Sequence, residues 1–85
     1  MTYMEWFDTR IAELEQFLAP DGEHLNPLCV DRARAIAETW AALTGNEPFV
    51  TVIYDGEIQI EDDDREVEVR ADGSNRWYTY SGVTA

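Results

Sequence analysis

The first part of the chain repeats apolar residues at helical spacing. Four of them follow at intervals of four, three and four residues, the spacing of one helical face: Phe7, Ile11, Leu14 and Leu18. Thr2 could cap this helix, with Glu5 three residues later as in a capping box. Pro20 and Gly22 are typical of its end. The pattern therefore predicts a helix over about 3–18.

A second helical pattern begins after Asn26, a good N-cap residue, with Pro27 at the first helical position. Its predicted buried stripe is Cys29, Ala33, Ile36, Trp40 and Leu43. Gly45 is a natural C-cap, and Pro48 prevents the helix from resuming. These signals predict a helix over about 27–44. The short connection favours an antiparallel helical hairpin.

From Phe49 the hydrophobic period changes to two, as in β-strands. Short turn segments separate the alternating runs: Asp55-Gly56, the Asp62–Asp64 run and Asp72-Gly73. The pattern predicts strands over about 49–54, 57–61, 65–70 and 76–80. We therefore expect one α+β domain over residues 1–85, in which the helical hairpin packs on a four-stranded antiparallel β-meander.

The predicted strand alternation assigns a face to each side chain. Ile58, Ile60, Val67 and Val69 should pack on the helices. The opposite face should then carry Glu57, Gln59, Glu61, Glu66, Glu68 and Arg70, with Asp62, Asp63 and Asp64 in the turn at its end. Alternate strand residues lie about 7 Å apart, a spacing comparable to that of successive nucleic-acid phosphates. The sequence thus suggests a grid of negative charge that could imitate a nucleic-acid backbone. An ordinary solvated sheet face is the alternative.

Charge sharpens this expectation. Eighteen Asp and Glu face six Arg and no Lys, for a formal net charge of -12 on 85 residues. Such a surface disfavours direct binding to nucleic acid or to an anionic membrane, and it favours a basic protein partner. The same charge would also serve solubility alone. No signal peptide or membrane-spanning stretch is expected, and we expect a cytoplasmic protein.

Little in the sequence points to catalysis or to metal binding. The run that begins at Asp62 lacks the Gly and Glu of a calcium-binding EF-hand loop. His24, the only histidine, is expected on a surface loop. Cys29, the only cysteine, is expected to be a small buried side chain. We therefore expect no enzyme activity, no catalytic residue, no cofactor and no metal site.

The aromatic residues of the last strand are a second candidate surface. Alternation places Trp77 on one sheet face and Tyr78 and Tyr80 on the other. Whichever face is not buried would present aromatic side chains beside acidic ones, a composition typical of protein-binding surfaces. These residues could instead cover a sheet edge or fill a gap beside the helices.

Two resemblances extend this interpretation. The segment from Pro48 to Glu61, which includes Asp-Gly-Glu-Ile-Gln-Ile-Glu, resembles a recurring segment of short uncharacterised bacterial proteins. In its size, acidity and mixed α/β pattern, the chain is similar to the small inhibitors that phages and mobile elements use against CRISPR or restriction systems. That second resemblance implies a DNA mimic, an anti-CRISPR or anti-restriction protein that acts inside the bacterial host cell.

Three functional hypotheses follow from the sequence. The first is an inhibitor whose acids occupy the basic nucleic-acid site of a bacterial defence protein. The second is an antitoxin or a mobile-element accessory protein that binds a protein partner through its helices or its aromatic strand. The third is a homodimer that pairs through an edge strand.

Overall fold

Two helices precede four strands, in the order that the hydrophobic pattern predicts. The computed structural model describes residues 4–80. Helix α1 spans Glu5–Leu18 and is followed by a 3₁₀ turn, Ala19–Asp21. Helix α2 spans Pro27–Thr44, and the side chain of Asn26 caps it by accepting hydrogen bonds from two backbone amides. No helix in this part of the chain is both long enough and apolar enough to cross a membrane.

The four strands form one antiparallel sheet in the order β1-β2-β3-β4. Strand β1 spans Phe49–Val52, β2 spans Ile58–Glu61, β3 spans Arg65–Val69 and β4 spans Asn75–Thr79. Consecutive strands pair with each other, so the sheet is a meander. The fold is therefore α+β, as expected.

The helices cover one face of the sheet, and the core lies between them. Helix α1 packs mainly against β1, and α2 packs against β2 and β3. The central strands contribute four side chains with no exposed surface: Ile58, Ile60, Val67 and Val69. Phe7, Leu14 and Leu18 of α1 are also buried. All of β4 is exposed, because α2 packs mainly on β2 and β3 and reaches only the margin of β4.

The bounds of several elements differ from the prediction. Strand β1 ends at Val52 and not at residue 54, because Asp55 and Gly56 both have positive φ angles and Ile53 pairs with Glu57 across a wider loop. Strands β2 and β3 each differ by one residue at one end, and β4 is shifted by one residue at both ends. Helix α1 begins at Glu5, and the predicted Thr2 cap lies outside the described residues.

The buried stripe of α2 is rotated from the predicted one. Cys29, Ala33 and Trp40 are buried as expected, but Ala37 is also buried. Ile36 is only partly buried, and Leu43 is 83% exposed. The prediction of a buried Leu43 is therefore wrong. Ile36 and Leu43 line the side of α2 next to β4, where no third helix is present among the described residues.

Candidate protein-binding surfaces

The outer face of the sheet, which points away from the helices, carries the predicted acidic residues. The strand register places Glu61 directly opposite Glu66 and Gln59 directly opposite Glu68. On the next strand, Tyr78 lies opposite Glu66, and Arg76 lies opposite Glu68. The structure thus brings the four glutamates of the predicted grid, Glu57 included, onto one surface.

Arg70 compensates two of these glutamates. Its Nη1 lies 2.6 Å from a carboxylate oxygen of Glu68, and its Nε lies 3.7 Å from one of Glu57. The hydrogen bond to Glu68 raises the pKa of Arg70. The other carboxylate oxygen of Glu57 accepts a hydrogen bond from the backbone of Ala71 at 2.7 Å. Because their side chains are only 13% and 20% exposed, Glu57 and Glu68 present little free charge to a partner.

The pair formed by Glu61 and Glu66 has a neutral partner instead. The Tyr80 hydroxyl lies 2.6 Å from a carboxylate oxygen of Glu66 and 3.3 Å from one of Glu61. The hydrogen bond to Glu66 is the main reason that the pKa of Tyr80 rises well above its usual value. A phenol hydroxyl orients the two carboxylates without cancelling their charge. This end of the outer face therefore keeps its negative charge.

The same end of the sheet is acidic beyond the outer face. A hollow of about 550 Å³ is lined by five carboxylate residues, which we call the acidic end: Glu47, Glu61, Asp62, Asp63 and Asp64. Its other lining residues include Trp40, Thr44 and Phe49, and none of those described is basic. Carboxylates that form no salt bridge in the described residues are thus concentrated around the β2–β3 turn.

Asp62 has a structural role within the acidic end. One of its carboxylate oxygens accepts hydrogen bonds from the backbone amides of Asp64 and Arg65, at 2.8 and 3.0 Å. The other accepts one from the indole of Trp40 at 2.9 Å. Burial by itself would raise the pKa of Asp62, but these hydrogen bonds and the charge of Arg65 together lower it. Asp62 therefore holds the turn onto α2.

A second surface lies on the helix side of β4. Trp77 stacks on Trp40 with ring centroids 5.7 Å apart and is still 51% exposed. The two rings border a groove of about 540 Å³ between α2 and β4, the α2–β4 groove, which Ile36, Leu43 and Arg65 also line. Tyr78 and Tyr80 lie on the opposite sheet face, as alternation predicts. The aromatic strand is thus exposed on both faces.

The two surfaces meet at α2. Trp40 and Thr44 line both the α2–β4 groove and the hollow of the acidic end. A partner that contacts the acidic end can therefore extend into an apolar groove without leaving the surface of the protein.

The sequence pattern did not assign Leu43 or Glu47 to these two surfaces. Helical spacing assigned Leu43 to the core, and Glu47 lies in a loop that no alternation pattern covers.

The single histidine and cysteine carry no reactive arrangement. The side chain of His24 is 76% exposed, on the loop where it was predicted, and its Nδ1 lies 3.4 Å from Glu15. Cys29 is buried, and burial raises the pKa of its thiol, which disfavours the reactive thiolate. Within residues 4–80, no three His, Cys, Asp or Glu side chains are grouped so that they could hold a metal ion.

Comparison of the chain with models of protein families, with curated proteins and with solved structures gave no match. Functional inference therefore rests on the geometry and the charge of these two surfaces.

Proposed function

We propose that this chain is a non-enzymatic inhibitor that binds the basic nucleic-acid site of a bacterial defence protein, a CRISPR effector or a restriction nuclease. Its acidic end, together with Glu66, would occupy the position of nucleic-acid phosphates. The inhibitor would act in the cytoplasm of the bacterial host cell. Competition would be steric and electrostatic, with fast association.

The observation that carries this proposal is the uncompensated pair of Glu61 and Glu66. Like charges placed directly opposite on neighbouring strands destabilise a sheet. The pair has no cation beside it in the described residues, whereas Arg70 compensates the other two outer-face glutamates. A stability cost that is kept at one place on the surface supports a binding role there.

The structure narrows the set of residues that would imitate phosphates. Glu57 and Glu68 are engaged by Arg70, and Asp62 is engaged by Trp40 and the turn. The charges available to a partner are therefore those of Glu47, Glu61, Asp63, Asp64 and Glu66. Asp63 and Asp64 are exposed, and the hydrogen bonds of the turn use the backbone of Asp64.

Charge reversal at the turn tests the proposal. The wild-type chain and a double variant, Asp63→Lys with Asp64→Lys, would be immobilised and exposed to a bacterial lysate at low and high salt. The matched control reverses two exposed acids of the α1–α2 loop, Asp21→Lys with Glu23→Lys. We expect the wild type and the control to capture a nucleic-acid-binding protein at low salt, and the turn variant to lose it.

Capture should also fail at high salt, because the range of exposed charges shrinks from about 10 Å at 0.1 M salt to about 3 Å at 1 M. The proposal is wrong if the captured proteins bind no nucleic acid. It is also wrong if the turn variant captures the same nucleic-acid-binding protein as well as the control does.

The α2–β4 groove favours a second candidate, an antitoxin or a mobile-element accessory protein that binds a protein through α2 and β4. An exposed apolar groove with a partly exposed Trp is typical of a protein-binding site. In that case the complex would survive high salt. It would be lost in a Leu43→Ser variant and kept by the Asp63→Lys, Asp64→Lys variant.

A further inference from the structure

The two edge strands of the sheet, β1 and β4, differ in whether other side chains cover their outward backbone groups. In an antiparallel pair, the backbone groups of successive residues point alternately toward the neighbouring strand and away from it. The Ile53 amide donates to the Glu57 carbonyl, so Ile53 faces the β2 side and the carbonyl of Val50, three residues earlier, points away from β2. Arg10 covers this edge: its Nε donates to that carbonyl at 2.7 Å, and its guanidinium lies 5.1 Å from the Phe49 ring centroid. A charged side chain laid over an edge strand prevents pairing with another chain.

At the β4 edge, Arg32 of α2 donates to the side chain of Asn75 at 2.8 Å, but no described side chain bonds to the backbone of Asn75, Trp77 or Thr79. The Arg70 amide donates to the Ser74 carbonyl, and the Tyr80 amide donates to the Asp64 carbonyl. By the alternation of an antiparallel ladder, the backbones of Arg76 and Tyr78 then face β3. Those of Asn75, Trp77 and Thr79 face outward, away from β3. Every residue of β4 is exposed.

The side chains of β4 also favour association. The chain has eighteen acidic residues, but none lies between Asn75 and Tyr80. Trp77 projects on the helix side, and Tyr78 projects on the outer side beneath the guanidinium of Arg76, 5.7 Å away. An exposed edge strand that is aromatic on both faces and free of acid is suited to pairing with another strand.

We propose that β4 pairs antiparallel with β4 of a second copy of this chain, about a two-fold axis at Trp77. In this register, every outward backbone group of Asn75, Trp77 and Thr79 meets a partner, since Asn75 lies opposite Thr79 of the second copy. The second copy is the occupant that the sequence of β4 itself favours, because a strand of the same sequence brings no acidic residue to the edge and can place its Tyr78 opposite Arg76.

The register follows from the side chains. With the axis at Trp77, Arg76 lies opposite Tyr78 of the second copy, so each guanidinium meets an aromatic ring as it does within one chain. Moving the axis to Arg76 would place two guanidinium groups directly opposite each other, which is unfavourable. On the helix side, the two Trp77 side chains become cross-strand neighbours and shield each other from water.

The salt dependence of this dimer is opposite to that of the proposed inhibitor complex. Two copies of charge -12 repel, and salt screens that repulsion, so the dimer should become tighter as salt is added. Binding of the acidic end to a basic partner should become weaker under the same change. The two proposals can therefore fail independently.

Sedimentation equilibrium of the purified chain at low and high salt tests the dimer. We expect a mass of twice 9.7 kDa, with a dissociation constant that falls at high salt. Thr79→Pro should yield a monomer, because proline removes an outward amide that β3 does not use, and its ring projects toward the second copy. Thr79→Val keeps that amide and should remain a dimer.

The proposal is overturned by a mass of 9.7 kDa at every salt concentration, or by a Thr79→Pro variant that still dimerises. Amide hydrogen exchange on the wild-type chain gives an answer that does not depend on the variant folding. We expect the Trp77 amide to become protected as protein concentration rises, whereas the Tyr78 amide, which faces β3, stays protected throughout. A Trp77 amide that exchanges rapidly at all concentrations would also overturn it.

Discussion

Replacing Glu61 by Gln removes one charge from the carboxylate pair on the outer face. We expect this variant to be more stable than the wild type. Tyr80 keeps its short bond to Glu66, and the bond that the change weakens is the longer one, at 3.3 Å. Repulsion between the two carboxylates is lost, while glutamine keeps the size and the polarity of the side chain.

The magnitude follows from the geometry. Glu61 and Glu66 form a non-hydrogen-bonded pair, since the Asp62 amide donates to the Arg65 carbonyl one step further along the ladder. The Cα atoms of such pairs are about 4.5 Å apart. Two of the carboxylate oxygens lie 2.6 and 3.3 Å from the Tyr80 hydroxyl oxygen, so they are separated by at most the sum of these distances.

Two unit charges about 6 Å apart repel by about 0.7 kcal/mol at the dielectric constant of water, and by more near a protein surface. Measured cross-strand pairs contribute about 0.2–1 kcal/mol. We therefore expect Glu61→Gln to raise the free energy of unfolding by about 0.5 kcal/mol, which is a rise in Tm of about 2–4 °C for a domain of this size.

Thermal unfolding and urea unfolding would measure this gain. Glu23→Gln, in an exposed loop, makes the same change in net charge and corrects for the general relief of repulsion. The difference between the two variants should shrink as salt is added. This prediction is wrong if Glu61→Gln is no more stable than Glu23→Gln, or if the difference in stability between them does not depend on salt.

Three further predictions concern individual contacts. Asp62→Ala should lower the free energy of unfolding by about 1–3 kcal/mol, since it leaves the buried Trp40 indole without its acceptor. Because the pKa of Asp62 is lowered in the fold, its stabilising contribution is present above about pH 4 and is lost as the pH falls further. Acid unfolding of the wild type and of Asp62→Ala would measure this difference. Tyr80 should ionise well above the usual range of a tyrosine in an ultraviolet pH titration, and Tyr80→Phe should remove this late step. Since the pKa of Tyr80 is raised in the fold, its stabilising effect is complete below about pH 10 and is lost at higher pH. Gly56→Ala should lower the free energy of unfolding by more than the about 1–2 kcal/mol expected for Gly22→Ala. Both glycines have a positive φ, but of the two only Gly56 would place a Cβ 2.4 Å from a backbone oxygen. Equal losses of stability in chemical denaturation would contradict this prediction.

Much of the fold could be predicted because each local signal is strong. The four-three-four spacing of α1, the Asn26-Pro27 start of α2 and the alternation around Asp55-Gly56 each specify an element without help from distant residues. The two sheet faces followed from the same alternation. Successive side chains of one strand point to opposite faces, so the burial of Ile58 and Ile60 places Gln59 and Glu61 on the outer face.

Long-range partners were the part that the sequence could not supply. The buried face of α2 depends on how far the helix layer extends across the sheet, and this extent leaves Leu43 in solvent. Arg32 could not be assigned to the β3–β4 turn, where it donates to the backbone carbonyls of Arg70 and Ser74. Neither the exposure of Leu43 nor the hydrogen bonds of Arg32 follow from a local sequence pattern, because both depend on residues far apart in the chain.

The acidic surface shows the same limit. Alternation placed Glu57, Glu61, Glu66 and Glu68 on one face, but it could not say which of them a cation neutralises. Arg70 reaches the first and the last of these, and the Tyr80 hydroxyl reaches the middle two. The negative charge of the predicted grid is therefore concentrated at one end of the sheet.

We propose that this end of the sheet competes with nucleic acid for a basic protein site. The most direct measurement is a titration of the captured partner, already bound to a labelled nucleic acid, with the wild-type chain and with the Asp63→Lys, Asp64→Lys variant. We expect the wild type to displace the nucleic acid, added salt to weaken this displacement, and the variant to leave the nucleic acid bound. A complex in which the partner holds both the nucleic acid and this chain at once would contradict the claim.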